Sequence, residues 1–368
     1  MIDGRNWWPG IPMNDTGFLD SLLGILNAMS ANLKAGLARL DGLWRFFSAL
    51  DPWFSLALFL ACSMLMVYRL NVLERKGLEG TVLGTLVMPY ASGFPNLVFA
   101  YSLGRQGGSG AVIVENCIVN NVTNLTLLIG LPALIWGLNV LPNRSVRNVR
   151  PSASKLQQLN TLSLMLTLVA LFFFTGALWA LGRDGRLDFG DGLVLVGLFL
   201  FWQVLHVFDV LKYNIHQRRS LPWTVFVDVL LVVILGAGVL SGIDRLVAWV
   251  MALGPGFILY DQLGILSGCL MVLPNAVLAM YYAWARRADI VYSSQVGDGH
   301  ICIPMCIGLF ALFSVIQVPD RMVLGILVIL GAGLLHLFFV AIVGRLPRFM
   351  GALLTIAYGV FLYTGFMG

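Results

Sequence analysis

Charged side chains are scarce in this sequence: Asp, Glu, Lys and Arg make up 11% of its 368 residues, whereas a soluble domain carries about 25%. Hydrophobic residues make up 59% of the chain. This shortage of charge excludes an ordinary soluble domain and predicts a chain whose partner is the lipid bilayer. The net charge of +5 is spread over short loops, so we expect no nucleic-acid partner.

Cysteine and histidine are also sparse, with five and four copies. All five cysteines lie in apolar segments, which excludes a disulfide scaffold. His300, Cys302, Met305 and Cys306 offer donors that suit a soft metal. However, Pro304 interrupts their helical spacing, and free cysteine is commonly a buried packing residue. We therefore assign no metal ligand from the sequence.

Catalytic motifs are missing as well. The sequence has no Ser-His pair, metalloprotease motif or pair of catalytic carboxylates at a useful spacing. An intramembrane enzyme is therefore the least favoured class, and we expect no cofactor.

Long apolar runs are abundant. A spanning helix needs about 20 apolar residues, and ten segments fit this requirement: 53–70, 80–103, 110–139, 157–181, 191–211, 222–241, 258–285, 290–316, 321–343 and 348–367. Before them, residues 16–48 repeat apolar side chains every three or four positions, which predicts an amphipathic helix on the membrane surface. We predict an all-α integral membrane protein with an interfacial segment (1–50) and five spans in each of 51–220 and 221–368.

The distribution of Lys and Arg predicts the orientation of these spans. The loops after spans 1, 3, 5, 7 and 9 hold 14 of them, and the loops on the other side hold 5. Because positive charge is retained in the cytoplasm, we expect both termini outside the cell and the plasma (inner) membrane as the location.

A Pro-Asn pair occurs twice inside apolar segments, as Pro95-Asn96 in span 2 and Pro274-Asn275 in span 7, 179 residues apart (274 minus 95). Ten spans therefore divide into five plus five, and an odd number per half gives an inverted repeat, as in many secondary transporters. Proline removes a backbone donor, so we expect a helix break at each pair. Such breaks are tolerated where they line a cavity or pack on protein, which predicts one central site.

Span 3 is rich in amides. Asn116, Asn120 and Asn124 are four residues apart and share one helix face, with Asn121 beside them. So many amides do not face lipid. They either form hydrogen bonds between helices or line a substrate path, and we favour the path because the stripe follows the first Pro-Asn pair.

The spans that directly follow the two Pro-Asn pairs hold one carboxylate each, Glu115 in span 3 and Asp298 in span 8. Ionisable side chains in the membrane are rare and mark functional sites by default. We therefore include both among the candidate ion ligands.

These motifs resemble those of the cation/calcium exchanger superfamily, which has ten spans in two inverted halves. Each half carries G-T-S-x-P-E followed by G-N-x-x-G-S-N-x-x-N. Here ASGFPN (91–96) and ENCIVNNVTN (115–124) stand in the first half, and LMVLPN (270–275) and SSQVGDGHIC (293–302) in the second. The resemblance covers about residues 53–367 and implies an ion-binding site that includes Ser92, Asn96, Asn116, Asn121, Asn124, Asn275, Glu115 and Asp298.

The sequence departs from the family in charge. The family's two glutamates are Asn96 and Asn275 here, and Asp298 stands at the place of a family serine. Calcium takes six to eight oxygen ligands, usually with several carboxylates. Amide oxygens can coordinate the ion without neutralising it, so ordinary sodium/calcium exchange is not what this site predicts.

Three classes of function remain. The favoured one is a sodium/calcium exchanger-like transporter with altered selectivity, for sodium, protons, calcium or a small polar solute. The alternative is a non-transporting membrane subunit that keeps the fold and docks partner subunits. An intramembrane enzyme comes last.

Overall fold

The computed structural model describes residues 52–75, 88–140, 151–214 and 223–367. The amphipathic helix predicted for residues 16–48 lies outside the described residues. Within the described residues, apolar runs become helices and the short polar stretches between them become turns.

The helices follow one another with short connections. They are α1 (Pro52–Arg75), α2 (Met88–Arg105), α3 (Gly110–Trp136), α4 (Pro151–Leu181), α5 (Phe189–Asn214), α6 (Thr224–Leu253), α7 (Ile258–Asp261), α8 (Leu263–Met271), α9 (Leu273–Trp284), α10 (Ala288–Ile301), α11 (Gly308–Ala311), α12 (Met322–Phe338) and α13 (Arg348–Met367).

Six helical segments of the described chain are long and apolar enough to cross a membrane. They are Pro52–Leu70, Gly110–Trp136, Leu164–Asp184, Phe226–Leu253, Leu263–Trp284 and Met322–Val343. With the largely helical architecture, this supports a helical membrane protein.

Helix α3 is the central helix. In the most apolar stretch of α3, 78% of the residues are buried. In the corresponding stretch of Phe226–Leu253, only 28% are buried. Ser109 begins the helix as its N-cap, accepting a hydrogen bond from the Ala111 N–H at 3.3 Å. Gly137 ends it with a φ of 67°, a conformation that glycine adopts without steric cost.

The two Pro-Asn pairs behave differently. Helix α8 ends at Met271 and α9 begins at Leu273, so Pro274 lies in the first turn of α9, at a helix break as predicted. Pro95 lies inside the continuous helix α2. The break expected at Pro95 is therefore wrong: proline removes one backbone donor, and the helix continues past it.

Two short π-helical segments interrupt the second half of the chain, Cys302–Ile307 and Phe339–Val343. The first contains Pro304 and joins α10 to α11. A π-helical turn adds a residue to the turn and is common at functional sites. This one directly follows the part of α10 that carries Asp298.

Short strands join distant connections. Strand β1 (Leu138–Asn139) pairs antiparallel with β4 (Arg345–Leu346), and β2 (Arg186–Leu187) pairs antiparallel with β3 (Ile316–Gln317). Each pair links a connection in the first half of the chain to one in the second half.

Helices α1 and α6 pack against one another, and a charged pair lies in their contact. Arg69 Nη1 lies 3.5 Å from Asp228 Oδ1, and the Asp228 side chain is buried. A buried carboxylate needs such a partner.

Candidate functional site

Asp298 lies at the centre of a buried polar cluster. Asp298 is fully buried and lies on α10. Its Oδ2 atom accepts a hydrogen bond from Asn124 Nδ2 on α3 at 2.6 Å and one from Asn275 Nδ2 on α9 at 3.4 Å. Three helices from both halves of the chain therefore converge on one carboxylate.

A glycine lets a fourth helix approach the same carboxylate. A Cβ atom at Gly93 on α2 would lie 3.3 Å from Asp298 Oδ1 and 2.9 Å from the Ile301 side chain. Because glycine has no side chain, α2 packs directly against α10 at this level.

The amide stripe of α3 extends the cluster along the helix axis. Asn124 Nδ2 also donates to Asn120 Oδ1 at 2.9 Å, and Cys302 Sγ lies 3.8 Å from the same oxygen. One turn earlier, Asn116 Nδ2 donates to Ser267 Oγ on α8 at 2.9 Å. The stripe thus forms hydrogen bonds between helices, and it also leads to Asp298.

Several buried amide atoms in this cluster have no hydrogen-bond partner among the described residues. Neither amide atom of Asn96 has one, and neither do Asn124 Oδ1 and Asn275 Oδ1. Asn96 is buried and lies three residues after Gly93, on the same face of α2. An unpaired buried polar group costs about 1–3 kcal/mol, so acceptors of this kind indicate a place for water or a cation.

Not every predicted site residue joins the cluster. Asn121 Nδ2 donates to its own helix, to the Cys117 carbonyl at 2.7 Å, while its Oδ1 faces Gly299. Ser92 lies in α2, and its side chain is outside the described detail.

Glu115 lies apart from Asp298. It is half-buried near the start of α3, beside Gly264 and in the same cavity as Arg321. Nine residues separate it from Asn124, which is about 13 Å along a helix axis. The two carboxylates therefore belong to different sites.

His300 is used in packing. Its Nε2 lies 2.9 Å from the Thr167 carbonyl oxygen, and its ring meets Phe174 and Trp202 edge to face. Within the described residues, no group of three or more His, Cys, Asp or Glu side chains is arranged to hold a metal ion. The described residues therefore give no support to a soft-metal site.

Sequence reasoning missed Gly93 and Ser267. Ser267 lies on α8 and Asn275 on α9, with the helix break between them, so their spacing in the sequence does not place them on one helix face. The role of Gly93 was not visible, because a glycine reports a close approach only when the neighbouring helix is known.

Comparisons with known proteins relate part of the chain to a family. Residues 53–208 match the sodium/calcium exchanger protein family. A stretch of 67 residues is 37% identical to the sodium/calcium exchanger MaX1 of Methanosarcina acetivorans, which covers 18% of this chain and 19% of that protein.

Solved structures extend the likeness to most of the chain. The sodium-calcium exchanger NCX_Mj soaked with Na⁺ and Sr²⁺ superposes with a TM-score of 0.61 at 19% identity, covering 86% of this chain and 98% of that one. NCX_Mj soaked with zero Na⁺ and Ca²⁺ gives 0.60 at 19% identity, covering 87% and 99%. The chain therefore has the fold of these exchanger structures, and residues 53–208 carry the match to the sodium/calcium exchanger family.

Proposed function

We propose that the protein is a cation transporter of the exchanger type, whose central site carries one carboxylate and selects a monovalent cation or a proton. One observation carries the proposal: Asp298 is fully buried and held by Asn124 and Asn275, amides from two other helices. Acidic groups inside membrane bundles are costly and mark ion or proton paths.

The charge of the site favours a monovalent ion. One ionised Asp298 balances one positive charge, whereas a divalent ion leaves a second charge uncompensated. Inside a bundle, that imbalance is far less screened than in water. NCX_Mj was soaked with Na⁺, Sr²⁺ and Ca²⁺, and we propose that the present chain departs from it in disfavouring the divalent ions.

The amides supply the remaining ligands. Asn96, Asn124 and Asn275 each have a buried Oδ1 without a hydrogen-bond partner among the described residues. Amide oxygens are hard donors that suit small hard cations. Rotation about the last side-chain bond exchanges the N–H donor of Asn124 for its oxygen, so a cation can enter the cluster without a shift of α3.

The proposed architecture has ten spans in two inverted five-helix repeats, 51–220 and 221–368, with both termini outside the cell. The strand pairs support it. Strands β1 and β3 begin 178 residues apart (316 minus 138), close to the offset of 179 between the Pro-Asn pairs. Exchange of the two halves converts the β1–β4 pair into the β3–β2 pair, as a two-fold repeat requires.

The test is cation flux in proteoliposomes. Wild-type protein is expected to exchange sodium or protons and to show weak or undetectable calcium uptake. Asp298→Asn removes the charge at nearly constant volume and is expected to lower flux at least about 100-fold, since the bound cation loses its counter-charge.

Asp188→Asn is a matched control. Asp188 is exposed, and its Oδ1 accepts from the Gly190 N–H at 2.8 Å before α5, a role that asparagine also fills. We expect unchanged flux. Strong calcium exchange by the wild type would contradict the selectivity proposal. Absence of any flux from well-folded protein that co-purifies with other chains would favour the scaffold alternative.

A further inference from the structure

A buried histidine of α12, His336, connects the two helices that carry Asn124 and Asp298. Its Nε2 lies 2.8 Å from the carbonyl oxygen of Leu125 on α3, and Leu125 directly follows Asn124. Its Nδ1 lies 3.2 Å from the hydroxyl oxygen of Tyr292 on α10, the helix of Asp298. Helices α10 and α12 both pack against α3, so one side chain closes a triangle of three helices.

The partners of His336 determine which ring nitrogen carries the proton. A carbonyl oxygen only accepts, so Nε2 donates to Leu125. In the neutral ring Nδ1 then accepts, and the Tyr292 hydroxyl donates to it. The two rings also meet edge to face, with their centroids 5.3 Å apart. Both nitrogens of the imidazole and the Tyr292 hydroxyl therefore have partners, although both residues are fully buried.

This contact differs from the amide cluster around Asp298. Asn96, Asn124 and Asn275 each keep a buried amide oxygen without a partner among the described residues, as expected of side chains that change partners when a cation enters. The polar atoms of His336 are all paired. Fully paired buried polar groups rigidify a structure and specify one arrangement, whereas apolar contacts are non-directional. The histidine therefore fixes a geometry that an apolar side chain would leave free.

We propose that His336 is a positioning residue of the cation site, which holds α3 and α10 at the separation and rotation that place Asn124 against Asp298. This inference rests on the proposed function at Asp298. His336 acts through Leu125 and Tyr292 and does not bind the cation itself. Removing a hydrogen-bond partner that orients the ligands of a metal ion typically lowers the affinity for the ion about 10–100-fold.

The experiment measures sodium and proton flux in proteoliposomes as a function of cation concentration. His336→Leu removes both hydrogen bonds. We expect the concentration for half-maximal flux to rise at least about 10-fold while the maximal rate falls less than about twofold, since misplaced ligands bind the cation more weakly. A loss of folded protein lowers the maximal rate and leaves this concentration unchanged, and that result would overturn the proposal.

His336→Gln is the conservative variant. The amide nitrogen and oxygen of glutamine are spaced like the two ring nitrogens, so this side chain can donate to Leu125 and accept from Tyr292. We expect the half-maximal concentration to stay within about twofold of the wild type, because both hydrogen bonds are retained. A glutamine variant as impaired as His336→Leu would contradict a role carried by these two hydrogen bonds.

Tyr358→Phe is a matched control at the same level of α3. The Tyr358 hydroxyl lies 3.3 Å from Thr123 Oγ1 and 3.5 Å from Cys269 Sγ, so these two contacts join α13 to α3 and α8. We expect an unchanged half-maximal concentration. A rise equal to that of His336→Leu would show that any hydrogen bond lost beside Asn124 disturbs the site, and it would overturn the specific role of His336.

Unfolding temperatures test the positioning of Asn124 without transport. If the wild type carries neither sodium nor protons, the proposed function fails, and a double-mutant cycle of His336→Leu and Asn124→Ala in detergent still decides the inference. We expect the double variant to lose less than the sum of the two single losses in unfolding temperature. The reason is that displacement of α3 already weakens the hydrogen bond from Asn124 to Asp298. Additive losses would overturn the proposal.

Discussion

The two halves of the chain share a Pro-Asn pair and use it differently. In the first half, Pro95 lies within a continuous helix, and both amide atoms of Asn96 lack a partner among the described residues. In the second half the helix ends before Pro274, and Asn275 donates to Asp298. Both halves supply an unpaired amide oxygen and a hydrogen bond to Asp298, but only the second half supplies the carboxylate.

This difference suggests that the two halves can share a fold while carrying different polar side chains. The family match reaches only residues 53–208, whereas the likeness to NCX_Mj covers 86% of the chain. If the two halves form the proposed repeat, its copies must keep their backbones because their helices pack at matched places. Their side chains can diverge, since a bound ion would respond to their total charge and not to which copy provides it.

The largest expected effect comes from returning acidic residues to both copies. In Asn96→Glu with Asn275→Glu, two further carboxylates face the space around Asp298. Calcium then meets enough charge, and we expect its binding to tighten at least about 100-fold over the wild type. Isothermal titration calorimetry on monodisperse protein measures this gain, and the single variants show whether each half contributes. A folded double variant that releases or absorbs no heat on calcium titration would contradict a shared site.

The second effect concerns the two prolines. Pro95→Ala adds a donor inside a continuous helix, so we expect it to raise the free energy of unfolding by about 2 kcal/mol. Pro274→Ala changes the first turn of α9, where proline is tolerated. We expect it to change the free energy of unfolding by less than about 0.5 kcal/mol. Thermal unfolding in detergent compares them. Equal shifts of the unfolding temperature in the two variants would contradict the difference between a proline inside a helix and a proline in its first turn.

The smallest effect concerns the approach of α2 to α10. Gly93→Ala places a methyl group 2.9 Å from the Ile301 side chain, and we expect a loss of about 1 kcal/mol from overpacking. Gly176→Ala, on α4, meets no atom within 4 Å, so alanine is expected to stabilise that helix by up to about 1 kcal/mol. Unfolding temperatures of the two variants should move in opposite directions. A stabilised Gly93→Ala would show that the two helices are not in close contact.

The sequence predicted the helices and the core of the site because both follow from local rules. Runs of apolar residues determine spans, and a four-residue period places Asn116 and Asn124 on one face. The duplicated Pro-Asn pair predicted one central site. Asn275 does donate to Asp298, whereas the approach of Asn96 to Asn275 stays a prediction. The continuity of α2 through Pro95 was not predictable, since packing from other helices decides whether a proline ends a helix.

The position of Glu115 could have been anticipated. Nine residues before Asn124 is two and a half turns, too far for both side chains to reach one ion. Its cavity with Arg321 was not predictable, because these residues are 206 positions apart (321 minus 115). Only the packing of α3 beside α12 brings them together.

The strand pairs also have a mechanical meaning. At one end of the bundle β1 pairs with β4, and at the other β2 pairs with β3. Backbone hydrogen bonds therefore join the connections of the two halves. If the attached helices slid lengthwise past one another, the hydrogen bonds of these strand pairs would break. A bundle joined in this way can still tilt or bend its helices, and a movement that begins in one half is then transmitted to the other.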